Sequence, residues 1–538
     1  MTKEIYMTNQ NLNKISKRAF LQSVGMIGGS AAVYTAMQGI GVAYASAMTE
    51  PPEISNSTEG VKLIILGGGI AGMVTALEMS KKGYDCKILE ARSFAGGRCQ
   101  TARNGTVIEE VAGETQVCTF ANNQYLNIGP WRIPAEHKAT LHYCNTLGVK
   151  LEPFINKSPR AYYYSEEAEG ALQGVPIRQL EADVDRAGNI AELLAKSTQS
   201  GKLDDHLDEN DRERLIEHLR STGLLNPKEL NYRANRARGY DEYPGNGVDM
   251  GKLSQPFDFK ELLKVKVGTI YDLADHPPVM FQPIGGMDQI AKAMERNLDQ
   301  DTVTYNAEVN KVIQHDNEVE ITYVDTKSNK TRTVRADYCI STIPLPILTK
   351  TENNLDPDLL KALKSASSGP ALKLGLQMNR RFWEKDEMIY GGMSYSDNQE
   401  IRLTAYPSSD LHSDQGGVIL GIYSIFGDAV GVSNKTIKER NEFALAQGEN
   451  IHPGKFRKYY SGNAISKAWH KDKYALGAGS GWISSRSMSK NLPPILKGDK
   501  RVLFAGDSFS FLNNAWMTGA IESAWHTISE LNKRVLSA

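Results

Sequence analysis

The clearest hydrophobic pattern lies near the start of the globular part of the chain. An apolar run over residues 63–66 predicts a buried strand, and a second run over 85–89 predicts another. Between them, apolar residues recur at helical spacing from Ile70 to Met79, and the sequence Lys-Lys-Gly then ends the helix. A strand, a helix and a second strand in this order indicate a βαβ unit and a parallel sheet.

The turn after the first predicted strand is rich in glycine. Gly67, Gly69 and Gly72 have the G-x-G-x-x-G spacing, and Glu90 ends the second strand. This context indicates a dinucleotide site rather than an ordinary glycine turn. We expect Gly67 to make the tight turn, Gly69 to let the backbone approach a pyrophosphate, and Gly72 to let the helix pack on the strand. The phosphates would lie at the helix N-terminus, where the free N–H groups favour negative charge.

A second glycine pair narrows the identity of the dinucleotide. Glu90 would accept hydrogen bonds from a ribose diol, which excludes a 2′-phosphate. Gly96, Gly97 and Arg98 follow it, an extension that NAD sites do not need. Flavoproteins with two dinucleotide-binding domains have this extension, because the arginine reaches the FAD pyrophosphate. We therefore expect the cofactor to be FAD.

Composition and charge limit the classes of partner. A chain of 538 residues is too long for one core, so two or three lobes are expected. The net charge of −1 argues against nucleic acid or an anionic membrane as the main partner. The 5 cysteines include no C-x-x-C pair, so neither a disulfide scaffold nor a metal site is expected.

The N-terminal segment has the features of an export signal. Lys17 and Arg18 precede an apolar run rich in glycine and alanine over 24–42, and small residues at 43–47 offer cleavage sites. The segment resembles a twin-arginine signal with lysine in place of the first arginine. We expect a periplasmic or secreted protein whose mature chain begins between residues 44 and 58. An uncleaved anchor and a disordered cytoplasmic extension are the alternatives, but the run is too interrupted for a convincing membrane span.

Further motifs follow the glycine fingerprint in a fixed order. They are GPWRIP at 129–134, GGMD at 285–288, LK at 372–373, AYP at 405–407, FAGD at 504–507 and AWMTGA at 515–520. Together these motifs resemble the FAD-dependent amine oxidase superfamily, and most closely the L-amino acid oxidases. The resemblance covers nearly everything after Gly60.

The resemblance implies a fold and a division of the chain. The expected fold class is α/β, a two-dinucleotide-binding-domain flavoprotein with a Rossmann-like FAD domain, a mixed-sheet substrate domain and a helical domain. Dense charge with apolar residues at helical spacing over 165–263 supports the helical part. The predicted boundaries are an export signal at 1–47, an FAD domain at 58–151, 266–345 and 486–538, a helical domain at 152–265, and a substrate domain at 346–485.

The resemblance also implies roles for four side chains around the reacting centre. Arg132 would bind the substrate α-carboxylate as a bidentate fork, and Tyr406 would donate its hydroxyl to the same carboxylate. Lys373 would hold a water against the reactive flavin nitrogen. Trp516 would form an aromatic wall beside the isoalloxazine, just before a helix that is expected to begin near Thr518.

The predicted FAD contacts come from the fingerprint and the resemblance together. Asp507 replaces the usual glutamate at the ribityl chain, Ala515 stands where the family usually has glycine, and the backbone of Val309 would meet the adenine. No cysteine follows Cys339, so covalent attachment of the kind found in monoamine oxidases is not expected, and the FAD should be non-covalent. The full set is Gly67, Gly69, Ile70, Ala71, Gly72, Glu90, Ala91, Arg92, Gly97, Arg98, Gly129, Pro130, Trp131, Arg132, Val309, Gly506, Asp507, Ala515, Trp516, Met517 and Ala520.

The implied reaction is oxidation of an L-amino acid by dioxygen to a 2-oxo acid, with release of ammonia and hydrogen peroxide. An amine or polyamine oxidase is the first alternative, and it would leave Arg132 without a role. A decarboxylating amino acid monooxygenase, which would yield an amide, is the second. A non-catalytic FAD-binding protein with 165–263 as its partner surface is the third. A homodimer is an open possibility from the family.

Overall fold

The computed structural model describes residues 48–56, 60–202, 207–267, 276–482 and 484–537. The predicted export signal at 1–47 lies outside the described residues. Within the described ranges no helix is long and apolar enough to cross a membrane. The cysteines are all free thiols and all buried.

The strands and helices of the described residues have the following bounds. The strands are β1 (Lys62–Leu66), β2 (Asp85–Leu89), β3 (Thr101–Ala102), β4 (Val107–Ile108), β5 (Gln116–Val117), β6 (Leu126–Asn127), β7 (Leu151–Ile155), β8 (Tyr162–Tyr164), β9 (Ile177–Arg178), β10 (Tyr240–Glu242), β11 (Lys252–Leu253), β12 (Val279–Pro283), β13 (Val303–Thr304), β14 (Ala307–Gln314), β15 (Val319–Asp325), β16 (Lys330–Ala336), β17 (Tyr338–Ser341), β18 (Glu352–Asn353), β19 (Ser367–Gly369), β20 (Ala371–Met378), β21 (Met393–Ser396), β22 (Leu403–Ala405), β23 (Gly417–Ile425), β24 (Tyr460–Ala468), β25 (Gly479–Gly481) and β26 (Val502–Phe504). The helices are α1 (Ile70–Ser80), α2 (Lys138–Thr146), α3 (Gln179–Gln199), α4 (Glu209–Thr222), α5 (Phe259–Leu262), α6 (Asp288–Arg296), α7 (Leu345–Leu348), α8 (Pro357–Lys364), α9 (Phe382–Lys385), α10 (Phe426–Ser433), α11 (Ile437–Ile451), α12 (Phe456–Tyr459), α13 (Ser485–Lys497) and α14 (Met517–Ser537).

A five-stranded sheet forms the centre of the dinucleotide-binding part. Its order is β13, β2, β1, β17 and β26, and all four pairings are parallel. The apolar run of β1 is buried because helices cover the sheet, as the βαβ pattern predicts. Since the strands are parallel, their carboxyl ends meet at one edge, where open α/β sheets bind ligands.

Helix α1 lies very close to the turn that precedes it. It packs in one apolar core with the sheet and with the C-terminal helix α14. A Cβ added at Gly72 would lie 2.1 Å from the carbonyl oxygen of Gly67, so no larger residue fits at this position. This close approach agrees with the packing role expected for Gly72.

A seven-stranded mixed sheet forms the opposite part of the molecule. Its order is β24, β20, β23, β22, β21, β8 and β9, and the β8–β21 pair is parallel while the other pairs are antiparallel. The stretch 152–265, expected as a helical domain, contains α3 and α4, which pack around a small core of their own. The same stretch also contributes β8 and β9, because the aromatic run Tyr162–Tyr164 pairs with the sheet.

We expect the change Gly72→Ala to destabilise the protein by about 1–3 kcal/mol, because the new methyl group overlaps a backbone carbonyl that cannot move without unmaking the turn. Denaturant unfolding measures the change. Gly427→Ala is the matched control, since Gly427 is also helical and an added Cβ there meets nothing within 4 Å. That control should be neutral or stabilise by about 0.5–1 kcal/mol. Equal stability of the two variants would contradict the packing argument.

Candidate active site

A cavity of about 580 Å³ lies at the carboxyl edge of the five-stranded sheet and reaches the seven-stranded sheet. The turn after β1, the end of β2 and the segments 96–99 and 129–132 line this cavity. Residues of β20 and β23 also line it, together with 506–507 and 515–517. The cavity therefore collects segments from both ends of the chain.

The glycine turn leaves room for a phosphate at the first turn of α1. Gly67 has φ +103°, in the region that favours glycine, and thereby turns the chain sharply out of β1. A Cβ added at Gly69 would meet only the Cα of Gly97, at 3.9 Å, so this position opens into the cavity. No side chain of the described residues caps the helix. These features fit a dinucleotide pyrophosphate.

Glu90 is held rigidly at the end of β2. Its Oε2 accepts the N–H of Gly68 at 2.7 Å, and its Oε1 accepts the N–H of Arg92 at 2.8 Å. Burial raises the pKa of this carboxyl group, and the two N–H donors oppose that shift. Each carboxylate oxygen has a second acceptor position, so a ribose hydroxyl can still donate to it.

An ion pair joins the first and last segments of the cavity. Arg98 forms a salt bridge with Asp507 through two nitrogens, and its Nη1 also donates to the carbonyl of Ala478 at 2.6 Å. Both side chains line the cavity. Arg98 and Asp507 were predicted as separate cofactor contacts, and the structure shows that they also position each other.

Arg132 lies at the other end of the cavity, with only 6% of its surface exposed. Its Nη1 donates to Oδ1 of Asn156 at 2.7 Å, and its guanidinium lies 5.1 Å from the centre of the Trp131 ring. Asn156 is held in turn by the carbonyl of His276, at 3.3 Å. These contacts orient the guanidinium before any ligand arrives.

Lys373 extends from β20 into the same end of the cavity and is 5% exposed. Its Nζ donates to the carbonyls of Gly129 and Asn127 and lies 5.1 Å from the centre of the Tyr423 ring. Burial lowers the pKa of Lys373 to about 7, and the positive charge of Arg132 contributes to the shift. This end of the cavity therefore favours an anion that lies near both cations.

Trp516 lines the cavity immediately before α14 begins at Met517. Its ring packs edge-on against His137, with centroids 4.7 Å apart, and against His276 at 5.7 Å. Ala515 beside it has φ +64°, a left-handed conformation that glycine adopts more easily.

The structure brings nearly all the predicted site residues to this cavity. Every predicted cofactor contact lines it except Gly72, and so do Arg132, Lys373 and Trp516. Tyr406 does not. Its hydroxyl bonds instead to Ser394 Oγ and His452 Nε2, both at 2.6 Å, and the residue is 2% exposed. Side chains alternate along an extended chain, so Tyr406 points to the core behind the sheet, and its role as a substrate contact is withdrawn.

A family model of flavin containing amine oxidoreductases matches residues 70–528.

The chain belongs to this family.

Two curated relatives are similar to this chain over most of its length. The L-amino-acid oxidase of Bothrops pauloensis is 26% identical over 497 residues, which cover 89% of this chain and 91% of that protein. The L-amino-acid oxidase of Notechis scutatus scutatus is 27% identical over 496 residues, covering 89% and 88%. A solved structure, the cyclohexylamine oxidase from Brevibacterium oxydans IH-35A, has a TM-score of 0.57 at 14% identity and covers 89% of this chain and 100% of that chain.

These comparisons confirm the α/β flavoprotein fold and the FAD cofactor. The protein is therefore an oxidoreductase, and the residues that line the cavity fit an FAD. The fingerprint turn, Glu90 and Arg98 would hold the dinucleotide, and the open position at Gly69 leaves space for its pyrophosphate.

Several lining residues were not predicted from the sequence. Tyr423 and Ile425 lie opposite Lys373 and Ala371 in the β20–β23 register, and all four side chains line the cavity. Within each strand the two lining residues are two positions apart, and residues at this spacing share one face of the sheet. The spacing could therefore have been used to predict them. Arg402 also lines the cavity, and no motif indicates it.

We expect a simple carboxylate to bind the flavin-loaded protein less tightly as the pH rises through about 7, the value to which the pKa of Lys373 is lowered. Above it the lysine is neutral and one charge–charge attraction is lost, which should weaken propionate binding by up to about tenfold over two pH units. Flavin absorbance during a propionate titration, from one pH unit below that pKa to one unit above, measures the affinity.

Two variants identify the group responsible for this pH dependence. Lys373→Met should bind propionate with an affinity that no longer changes over this pH range. Lys311→Met removes the same charge from a surface pair with Glu352 and should keep the dependence. An unchanged pH profile in Lys373→Met would show that another group titrates.

Proposed function

We propose that the protein oxidises L-α-amino acids to 2-oxo acids and releases ammonia and hydrogen peroxide. The observation that carries this proposal is the buried Arg132 at one end of the cavity, close enough to Lys373 for its charge to lower the pKa of that lysine. An α-carboxylate would lie favourably between two such cations in a site with little water. A substrate amine without a carboxylate offers no charge that either cation attracts. The names of the curated relatives agree with this choice.

FAD, when bound, accepts the two electrons of the substrate Cα–H bond and passes them to dioxygen. Overall, one amino acid, one dioxygen and one water yield one 2-oxo acid, one ammonia and one hydrogen peroxide. Arg132 would fix the carboxylate as a bidentate fork, and the Asn156 bond to its Nη1 would keep the fork in place. Trp516 would limit the movement of the amine side, since two histidine rings hold its indole. The substrate amine must be neutral to react, so the rate should rise with pH through its pKa.

The remaining predicted cofactor residues that line the cavity are proposed FAD contacts, and the attachment is proposed to be non-covalent. Cys99 is a cysteine that lines the cavity. Its thiol donates to the carbonyl of Met287 at 3.3 Å, and burial raises its pKa, so the reactive thiolate is not populated near neutral pH.

Export of the protein is also proposed, from the sequence at 1–47. The route that such signals use carries folded cargo, which suits a protein that must retain a flavin. Ser55 exchanges two backbone hydrogen bonds with the side chain of Asn532 on α14, at 2.9 and 3.2 Å. Cleavage at 43–47 would therefore leave the segment that docks on the folded body intact.

The preference for an L-amino acid over the corresponding decarboxylated amine is measured as the ratio of their kcat/KM values. The change Arg132→Met should lower this ratio by about 100-fold or more. A buried charge pair is worth several kcal/mol when one partner is removed, and only the amino acid has the carboxylate. Anaerobic flavin bleaching followed by peroxide detection on air measures both substrates.

The exposed Arg332 provides the matched control for this experiment, since Arg332→Met removes the same charge from a surface strand. That variant should keep the wild-type ratio. Wild-type protein that oxidises the amine as well as the amino acid would contradict the proposal and favour an amine oxidase.

We expect the mature protein, recovered outside the cytoplasm, to begin between residues 44 and 58. N-terminal sequencing measures this directly. Arg18→Lys removes the remaining arginine of the proposed signal pair and should leave the flavoprotein in the cytoplasm, whereas the nearby Lys14→Arg should be exported normally. Recovery of the full-length chain from the cytoplasm of wild-type cells would contradict export.

A further inference from the structure

Arg402 is the cation in the cavity wall for which the proposed reaction has no role. It lies immediately before β22, and its side chain lines the cavity. Its Nε is shielded from solvent and has no hydrogen-bond partner, and its guanidinium makes no hydrogen bond or ion pair with any described residue. A buried donor without a partner is unfavourable, and more so when it is charged.

The backbone at Arg402 holds the side chain in this unfavourable place. Its φ is +61°, a left-handed conformation that is unfavourable for a residue with a long side chain. The N–H of Arg402 donates to the carbonyl of Asn398 at 2.8 Å, and its carbonyl accepts the N–H of Ser396 at 2.9 Å. Strain of this kind persists where the surrounding structure imposes it, and it is concentrated at ligand sites.

The strand contacts place Arg402 at the same end of the cavity as Lys373 and Arg132. The carbonyl of Ile401, the residue before it, accepts the N–H of Tyr423, whose ring lies 5.1 Å from Lys373 Nζ. Met393 opposes Ala405 in the sheet and contacts Arg132 Nη1 at 3.9 Å. Arg402 comes three positions before Ala405 in the chain, or about 10 Å along the strand.

The described lining residues contain three carboxylates, and all lie away from this end. Glu90 accepts two backbone N–H groups, Glu308 pairs with Lys473 at 2.6 Å, and Asp507 pairs with Arg98. Each belongs to the proposed dinucleotide end of the cavity. Arg402 therefore has no acidic partner among the described lining residues and is available to an anion that enters with the substrate.

We propose that Arg402 binds a second anionic group on the substrate side chain, so that the preferred substrates are dicarboxylic L-amino acids. This inference rests on the proposed function, in which Arg132 binds the α-carboxylate. The planar guanidinium matches a carboxylate as a bidentate pair, and a neutral amide of the same shape leaves it without a charge partner. Arg132 and Arg402 would then hold the two ends of one extended substrate.

The first test compares acids with their amides in the flavin-loaded enzyme. Wild-type protein should reduce its flavin with L-glutamate or L-aspartate at a kcat/KM at least tenfold above that for L-glutamine or L-asparagine. Arg402→Gln should lower the ratio of kcat/KM for L-glutamate over L-glutamine at least tenfold, to a value near one. Arg214→Gln removes the same charge from an exposed helix surface and should keep the ratio.

A second test needs no turnover. Glutarate and its monoamide are titrated into the flavin-loaded protein, and the flavin absorbance reports binding. Glutarate should bind more tightly than the monoamide in wild type, and Arg402→Gln should abolish the difference while it retains a full FAD content. Loss of FAD from this variant would show that Arg402 holds the cofactor and would overturn the inference.

Different experimental results would contradict the role of Arg402 and the proposed function. Flavin reduction by neutral L-amino acids without any preference for the acids overturns the role of Arg402 and leaves the proposed function intact. No reduction by any L-amino acid overturns the proposed function itself. Equal binding of glutarate and its monoamide to wild type overturns the role of Arg402 independently of the reaction.

Discussion

The parallel alignment of five strands is the constraint on which the cavity depends. Leu66, Leu89, Ser341 and Phe504 end neighbouring strands and lie at one edge of the sheet. Parts of the chain that are hundreds of residues apart therefore leave the sheet side by side. The sharp turn after β1 aims the N-terminus of α1 along that edge, so the backbone itself supplies the positive end of the site before any side chain contributes.

Charge is distributed unevenly along this cavity. At the dinucleotide end each acid has a fixed partner, as in the pair of Arg98 with Asp507 and the pair of Lys473 with Glu308. At the other end, Arg132, Lys373 and Arg402 line the wall, and the described lining residues there include no acid. Burial is the main cause of the lowered pKa of Lys373, and the positive charge of Arg132 is the second cause. The electrostatic cost is offset only when anions occupy the site, and both the cofactor and the proposed substrates carry negative charge.

The parts predicted correctly from the sequence are those in which local pattern and chemistry agree. The β1–α1–β2 unit was predictable because apolar runs, glycine spacing and a terminal acid all lie within about thirty residues and support one another. Tyr406 was wrongly predicted to face the cavity. Successive side chains of a strand point to opposite faces, so a shift of one position moves a side chain from the cavity to the core. The turn that fixes this alternation has no sequence signature. Arg402 was missed because a left-handed backbone, set by contacts with residues 396 and 398, brings it to the wall. The strands β8 and β9 were missed because tertiary pairing outweighed the charged, helical character of their surroundings.

The cavity also has a consequence for the order of events in biosynthesis. Its walls include Gly506, Asp507 and the residues from Ala515 to Met517, which lie between β26 and α14 or, in the case of Met517, at the start of α14. A nascent chain in which this segment has not yet left the ribosome lacks these groups, including the acid that fixes Arg98. A closed flavin site therefore forms only after residues 506–517 have been synthesised and have left the ribosome, and a chain truncated before β26 would never form one.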